Sequence, residues 1–223
     1  MPVIAVTNPK GGSGKSTITF NLGIFLKQLD YQVFMFDLDE TSSLTDLVKT
    51  RPKTLPKLFV SHITFDDIGS NIKKLTDLSK DNVILMDLPA RLTAEQLEII
   101  VTYTDIIITP TLPSAIDARV LVQYIFSIMK VGSDRIDEID LAMVANRAKF
   151  NTKSYKKLTN DLSLLHYPYL GGLRDTQNYV LSAAQGIGIA ELPKRLTKKD
   201  IEHWKPILEW VENNLKSRLI DNP

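Results

Sequence analysis

The chain has 223 residues, with 27 Lys and Arg set against 26 Asp and Glu for a formal net charge of +1. So even a balance names no partner by itself, and 43% apolar with 24% charged residues is ordinary for a globular protein able to bury a sizeable core. The absence of cysteine excludes a disulfide scaffold and a thiolate metal site. No stretch reaches the ~20 apolar residues of a membrane span, and no basic leader pattern opens the chain, so a cytoplasmic location is expected.

The first apolar run, Val3–Val6, reads as a strand. It leads into Asn8-Pro9-Lys10-Gly11-Gly12-Ser13-Gly14-Lys15-Ser16-Thr17 and then into a helical pattern over 16–29 through Leu22, Phe25, Leu26 and Leu29. A strand turning through glycines into a helix is the setting of a phosphate-binding loop. Backbone N–H groups at the helix start converge on one spot, and the helix dipole favours an anion there. Gly11, Gly12 and Gly14 let the main chain approach the phosphates. Lys15 can then reach the β- and γ-phosphates, and the Ser16 hydroxyl can ligate Mg²⁺. The usual spacing would place glycine at position 9, where this chain has Pro9, and a second lysine, Lys10, precedes the double glycine.

A second strand over 33–36 ends in Asp37-Leu38-Asp39-Glu40, carboxylates at the strand end where α/β sheets carry their ligand chemistry. The segment from Arg51 to Lys57 reads as a surface loop and 66–78 as a helix. A strand over 83–86 ends in Asp87-Leu88-Pro89, which suits a Walker B carboxylate behind a metal. A helix over 93–103 and a strand over 106–108 lead to Thr109-Pro110-Thr111-Leu112-Pro113-Ser114-Ala115-Ile116-Asp117, where Ser114 can cap a helix over 114–131. A strand over 141–144 ends in Ala145-Asn146-Arg147, and 152–165 is again helical. Strand–helix alternation predicts an α/β fold: a doubly wound, mostly parallel sheet with helices on both faces, in one domain over 1–223.

Late in the chain Arg147, Lys149, Lys153, Lys156 and Lys157 occur with no acid between them, and Lys194, Arg195, Lys198 and Lys199 follow. Such clusters are either solvated faces or a footprint for phosphate backbones. Ile201, Trp204, Leu208, Val211 and Leu215 have helical spacing, and Glu202, Glu209 and Glu212 dilute the charge between them; a helix docked on the domain is expected.

Lys-Gly-Gly-x-Gly-Lys-Ser-Thr resembles the deviant Walker loop of the ParA/MinD family of P-loop ATPases, and Asp37/Asp39 and Asp87-Leu88-Pro89 are similar to that family's Asp-x-Asp and Asp-x-Pro motifs. The chain departs from it where Glu40-Thr41 replaces Pro-Gln. The resemblance implies ATP and Mg²⁺ as ligands, with Lys10, Lys15 and Asp39 as catalytic residues and Asp39 orienting the attacking water. It implies Ser16, Asp37 and Asp87 near the metal and Asn146 on the adenine edge. Arg174, in a Gly171-Gly172-Leu173-Arg174 stretch, would lie over the nucleotide or in a dimer interface. Lys10 would reach across a nucleotide-sandwich homodimer. Nonspecific DNA and a centromere-binding or adaptor protein that stimulates hydrolysis are the implied partners, with a nucleoid-associated location and no membrane. The iron–sulfur branches of the family are excluded by the missing cysteines. The alternatives are a MinD-like membrane-positioned regulator, against which the undiluted basic anchor is missing, and an ATP-dependent ligase resembling dethiobiotin synthetase.

Overall fold

Seven strands pair into one sheet in the order β3-β2-β4-β1-β5-β6-β7, every neighbouring pair parallel. In this computed structural model, which describes residues 1–78, 82–132 and 134–220, the strands are β1 (Val3–Val6), β2 (Gln32–Asp37), β3 (Phe59–His62), β4 (Asn82–Asp87), β5 (Ile106–Thr111), β6 (Asp140–Ala148) and β7 (Tyr169–Arg174). The helices are α1 (Lys15–Gln28), α2 (Ser43–Thr50), α3 (Ile68–Leu78), α4 (Ala94–Tyr103), α5 (Ala115–Val131), α6 (Lys153–Ser163), α7 (Gln177–Ala184) and α8 (Lys194–Ile220).

Alternate side chains of each central strand feed two cores on opposite faces of the sheet. Ile4, Val6, Val33, Leu85, Ile106 and Ile108 meet α1, α2 and α8 on one face. Val3, Ala5, Ile84, Met86, Ile107 and Leu141 meet α3, α4, α5 and α6 on the other. Burial on both faces is why these strands are almost continuously apolar. Gly23 lets α1 lie close on the sheet, since a Cβ there would come within 2.0 Å of Met35 Cε.

All five sequence-predicted strands are present, and the sheet is wholly rather than mostly parallel. Two strands and two helices were not predicted. β3 is a four-residue edge strand, largely exposed, so its Phe-Val-Ser-His sequence lacks a core pattern. β7, the other edge, contains Gly171 with φ 89°, a turn-like signal inside a strand. α2 and α7 are eight-residue helices, too short for a helical period to stand out.

α8 docks as its spacing predicts. Trp204, Ile207, Val211 and Leu215 are buried in the α1-side core. The Trp204 ring lies 5.1 Å from that of Phe25 and its Nε1–H donates to Tyr179 Oη at 3.0 Å. At the far end, Arg218 Nη2 donates to Asp140 Oδ2 (2.6 Å) and to the Glu138 carbonyl (2.6 Å). No helix among the described residues is long and apolar enough to cross a membrane. If α8 is part of the core, Trp204→Ala will cost about 3–5 kcal/mol in urea denaturation, whereas a loss below about 1 kcal/mol would mean a detachable helix.

Candidate nucleotide-binding site

The carboxyl edge of the sheet opens into a cavity of about 1140 Å³ lined by the 11–17 loop, Asp39 to Thr41, the face of α2, the segment from Pro89 to Arg91, and Arg147. The loop leaves β1 and enters α1 through Gly14, which caps the helix in the left-handed region (φ 96°), and Gly12 is also left-handed (φ 74°). Without a residue able to enter the left-handed region there, the first N–H groups of α1 could not turn together toward the cavity. The space beside Gly14 is already taken, because a Cβ would come within 1.9 Å of Asn146 Nδ2. Asn8 steadies the other end of the loop by donating to the Pro110 carbonyl (2.8 Å) and accepting from the Lys10 N–H (2.8 Å).

Lys15 is 7% exposed, and its Nζ reaches the Lys10 carbonyl at 3.5 Å. Burial lowers its pKa, and the nearby carboxylates Asp87 and Asp39 pull it back up. β2 and β4 run side by side in register, so Asp37 and Asp87 stand as neighbours at their ends, both fully buried. Their environments differ sharply. Asp37 accepts from the Asp39 N–H (3.2 Å), the Thr45 N–H (2.8 Å) and Thr45 Oγ1 (2.8 Å), so it ties β2 to the start of α2. Neither oxygen of Asp87 has a hydrogen-bond partner among the described residues. Burial pushes its pKa up to about 7, Ser16 and Lys15 lower it, and the carboxylates of Asp37 and Asp39 raise it further. Asp39 is half-buried and accepts from the Thr41 N–H (2.9 Å) and Thr41 Oγ1 (2.7 Å), which shapes the turn that carries Glu40-Thr41.

The arrangement fits a magnesium nucleotide. Ser13 Oγ and both Asp87 oxygens are buried without partners behind a glycine cradle beside a buried lysine, a set of groups that a phosphate-bound cation and its water would satisfy. Among the described residues no cluster of three His, Asp or Glu could hold a metal by itself, so phosphate oxygens would complete the coordination around Ser16.

Other predicted residues are placed differently from one another. Asn146 does not line the cavity; it is buried behind Gly14, donating to the Ser13 carbonyl (2.8 Å) and accepting from the Arg147 N–H (2.9 Å). Arg174 is held by the buried carboxylate of Asp200, whose Oδ2 accepts from Nη2 at 3.0 Å, and Asp200 also accepts from Asn178. Lys10 is 40% exposed and forms an ion pair with Asp117 Oδ1 at 2.6 Å. Ser114 caps α5 by accepting from the Asp117 N–H at 3.1 Å, as its position predicts. Asp117 as the partner of Lys10 was not legible, because the pairing joins the phosphate loop to the first turn of α5, 107 positions away.

The basic residues Lys149, Lys153, Lys156, Lys157, Lys194, Arg195, Lys198 and Lys199 are all exposed. Lys149 pairs with Asp175 (3.6 Å) and Lys157 with Asp161 (3.1 Å), so part of the charge is locally offset. Phe150, beside the first cluster in sequence, packs on His203 of α8 at 4.6 Å.

A glycine-cradled helix start, a buried lysine and paired strand-end carboxylates on a parallel sheet define a P-loop nucleotide-binding protein. The model of the CobQ/CobB/MinD/ParA nucleotide-binding domain matches residues 4–189, and the chain belongs to that family, whose ParA and MinD branches are partitioning and positioning ATPases. It is 31% identical to protein ParA of Rhizobium radiobacter over 122 residues, 54% of this chain and 53% of the relative, so the match spans about half that relative's length. Among solved structures, apo McdA of Cyanothece superposes with a TM-score of 0.74 at 17% identity, covering 96% of this chain and 99% of that one. MinD of Aquifex aeolicus superposes at 0.71 with 18% identity, covering 100% and 98%. At these identities the likeness is one of fold.

The state of Asp87 is open to measurement. Its carboxyl keeps a proton in the folded protein that the unfolded chain has already released above its ordinary pKa of 3.8. Metal-free stability therefore falls as pH rises from about 4 to about 7. Asp87→Asn removes that loss, so in metal-free buffer at pH 8 it will be more stable than the parent by up to roughly 4 kcal/mol, with the advantage gone near pH 4. A pH-independent difference in urea titrations would contradict this account.

Proposed function

We propose that the chain is a ParA-like partitioning ATPase. It binds ATP with Mg²⁺, pairs with a second copy across the nucleotide faces, binds DNA nonspecifically as that dimer, and hydrolyses ATP when a centromere-binding or adaptor protein stimulates it. The cargo is a plasmid, a chromosome or another large complex, and the working location is the nucleoid. The single observation that carries the reading is the placement of Lys10. It sits on the phosphate loop, yet its amine is directed away to Asp117 and half into solvent, while Lys15 alone serves its own cavity.

Phosphoryl transfer of this kind is positioning plus charge stabilisation. The α1 N–H groups and Lys15 hold the triphosphate, and Ser16 and Asp87 hold the cation and its water. A cation held there would supply positive charge beside the phosphates. Asp39, on a turn stiffened by Thr41, places the attacking water. Asn146 keeps the loop in register through Ser13. In the dimer, Lys10 leaves Asp117 for the partner's phosphates, so hydrolysis becomes conditional on assembly. The two exposed basic clusters support an electrostatic DNA footprint without base readout. The family match and the McdA variant of Cyanothece solved as an ATP complex (TM-score 0.72, 16% identity, covering 93% and 96%) support the nucleotide.

Two measurements test the reading. With Lys10→Ala, ADP binding by the monomer will be unchanged, whereas the ATP-dependent dimer seen by light scattering will be lost. Normal dimerisation and turnover in that variant would refute the two-subunit switch. In filter binding, duplex DNA will be retained with ATP but not with ADP, and affinity will fall by about 0.9 log units per tenfold salt for each phosphate contacted. Retention that ignores both nucleotide and salt would remove the partitioning reading.

A further inference from the structure

Arg147 belongs by sequence to the late basic cluster, but its backbone sets it apart from the lysines around it. The β6–β7 ladder runs Met143↔Tyr169, Ala145↔Gly172 and Ala148↔Arg174. Between the last two pairs β6 spends three steps where β7 spends two, so one extra residue bulges out at Asn146 and Arg147. A bulge of this kind re-aims a side chain that the pleat would otherwise direct to one face of the sheet. Arg147 takes a left-handed conformation, φ 49°, which costs free energy for a residue with a Cβ. Asn146 sustains it by accepting the Arg147 N–H, while its own amide holds Ser13 of the phosphate loop.

The consequence is a backbone fixed in register with the loop and a side chain that lines the cavity, exposed, its guanidinium without an ion pair or hydrogen bond among the described residues. Its neighbours in sequence differ: Lys149 has a carboxylate partner, and neither it nor Lys153 lines the cavity. A planar fork of donors beside a helix start matches phosphate oxygens bidentately. Arg91 also lines the cavity with a left-handed backbone (φ 64°), from the opposite segment after β4, but no side chain ties its backbone to the loop.

We propose that Arg147 is a ligand of the nucleotide's phosphate groups and not part of the DNA-contacting surface. The bulge in β6 and the Asn146 bridge to Ser13 position it for that contact. This assignment rests on the reading of the cavity as an ATP site.

The test separates nucleotide affinity from DNA affinity in the full chain. Binding of ADP with Mg²⁺ is measured by fluorescence displacement for the parent, Arg147→Gly and Arg147→Lys. Glycine takes φ 49° without strain, so Arg147→Gly will melt no lower than the parent when nucleotide is absent. Its ADP affinity will fall about tenfold, the effect of one charge-assisted hydrogen bond. Arg147→Lys, which keeps the charge but loses the fork, will recover part of that loss. At saturating ATP the salt slope of duplex DNA binding will match the parent. Parent-like ADP affinity in Arg147→Gly overturns the assignment, and if the salt slope also drops by about 0.9 the residue is a DNA contact. A parent chain that does not bind ADP refutes the ATP-site reading itself, and with it this assignment.

Discussion

Two buried carboxylates and one buried ammonium share the carboxyl edge of this sheet, and their imbalance governs the site. Asp37 is neutralised in effect by three donors from its own chain. Asp87 has no such set of donors, and Ser16 and Lys15 offset its burial only in part. A buried carboxylate without partners is costly unless it takes up a proton or meets a cation. The free energy that this arrangement withholds from the empty protein is available to a ligand that brings a cation with it. Asp37 and Asp87 lie side by side in adjacent strands, so the same registry that builds the core also builds this imbalance.

The rest of the edge keeps that centre in place. Gly14 gives up its side chain both to turn the helix start and to admit Asn146 behind the loop. Asn21 performs a similar service from α1, accepting the Ile189 N–H at 2.7 Å and so tying the nucleotide helix to the turn before α8. Arg51 does the same for α2 through a two-bonded contact with Glu191 (2.5 and 2.7 Å), both side chains nearly buried. The turn that carries Asp39 is thus connected, through α2, to the same region that anchors α8.

Much of this was legible in the residues because it is local. The order strand, glycine turn, helix needs no tertiary information, and the apolar runs of β1, β2, β4, β5 and β6 follow from burial on two faces. The edges were not legible: β3 is too exposed and β7 too rich in glycine to carry a core pattern. Charge alone grouped Arg147 with lysines whose surroundings are different. Arg174 shows the same limit, since its partner Asp200 lies 26 positions away on another element.

The sequence by itself determined the phosphate loop, the two strand-end carboxylates Asp37 and Asp87 and the alternation that yields a parallel sheet. Each of these depends on neighbours within a few residues. Only the tertiary structure decided that Asp37 is saturated and Asp87 is not, that Lys10 rests on Asp117, that Asn146 backs Gly14, and that a bulge directs Arg147 into the cavity. These are contacts between residues up to 133 positions apart, and crossover connections of a parallel sheet bring such distant residues together at one edge.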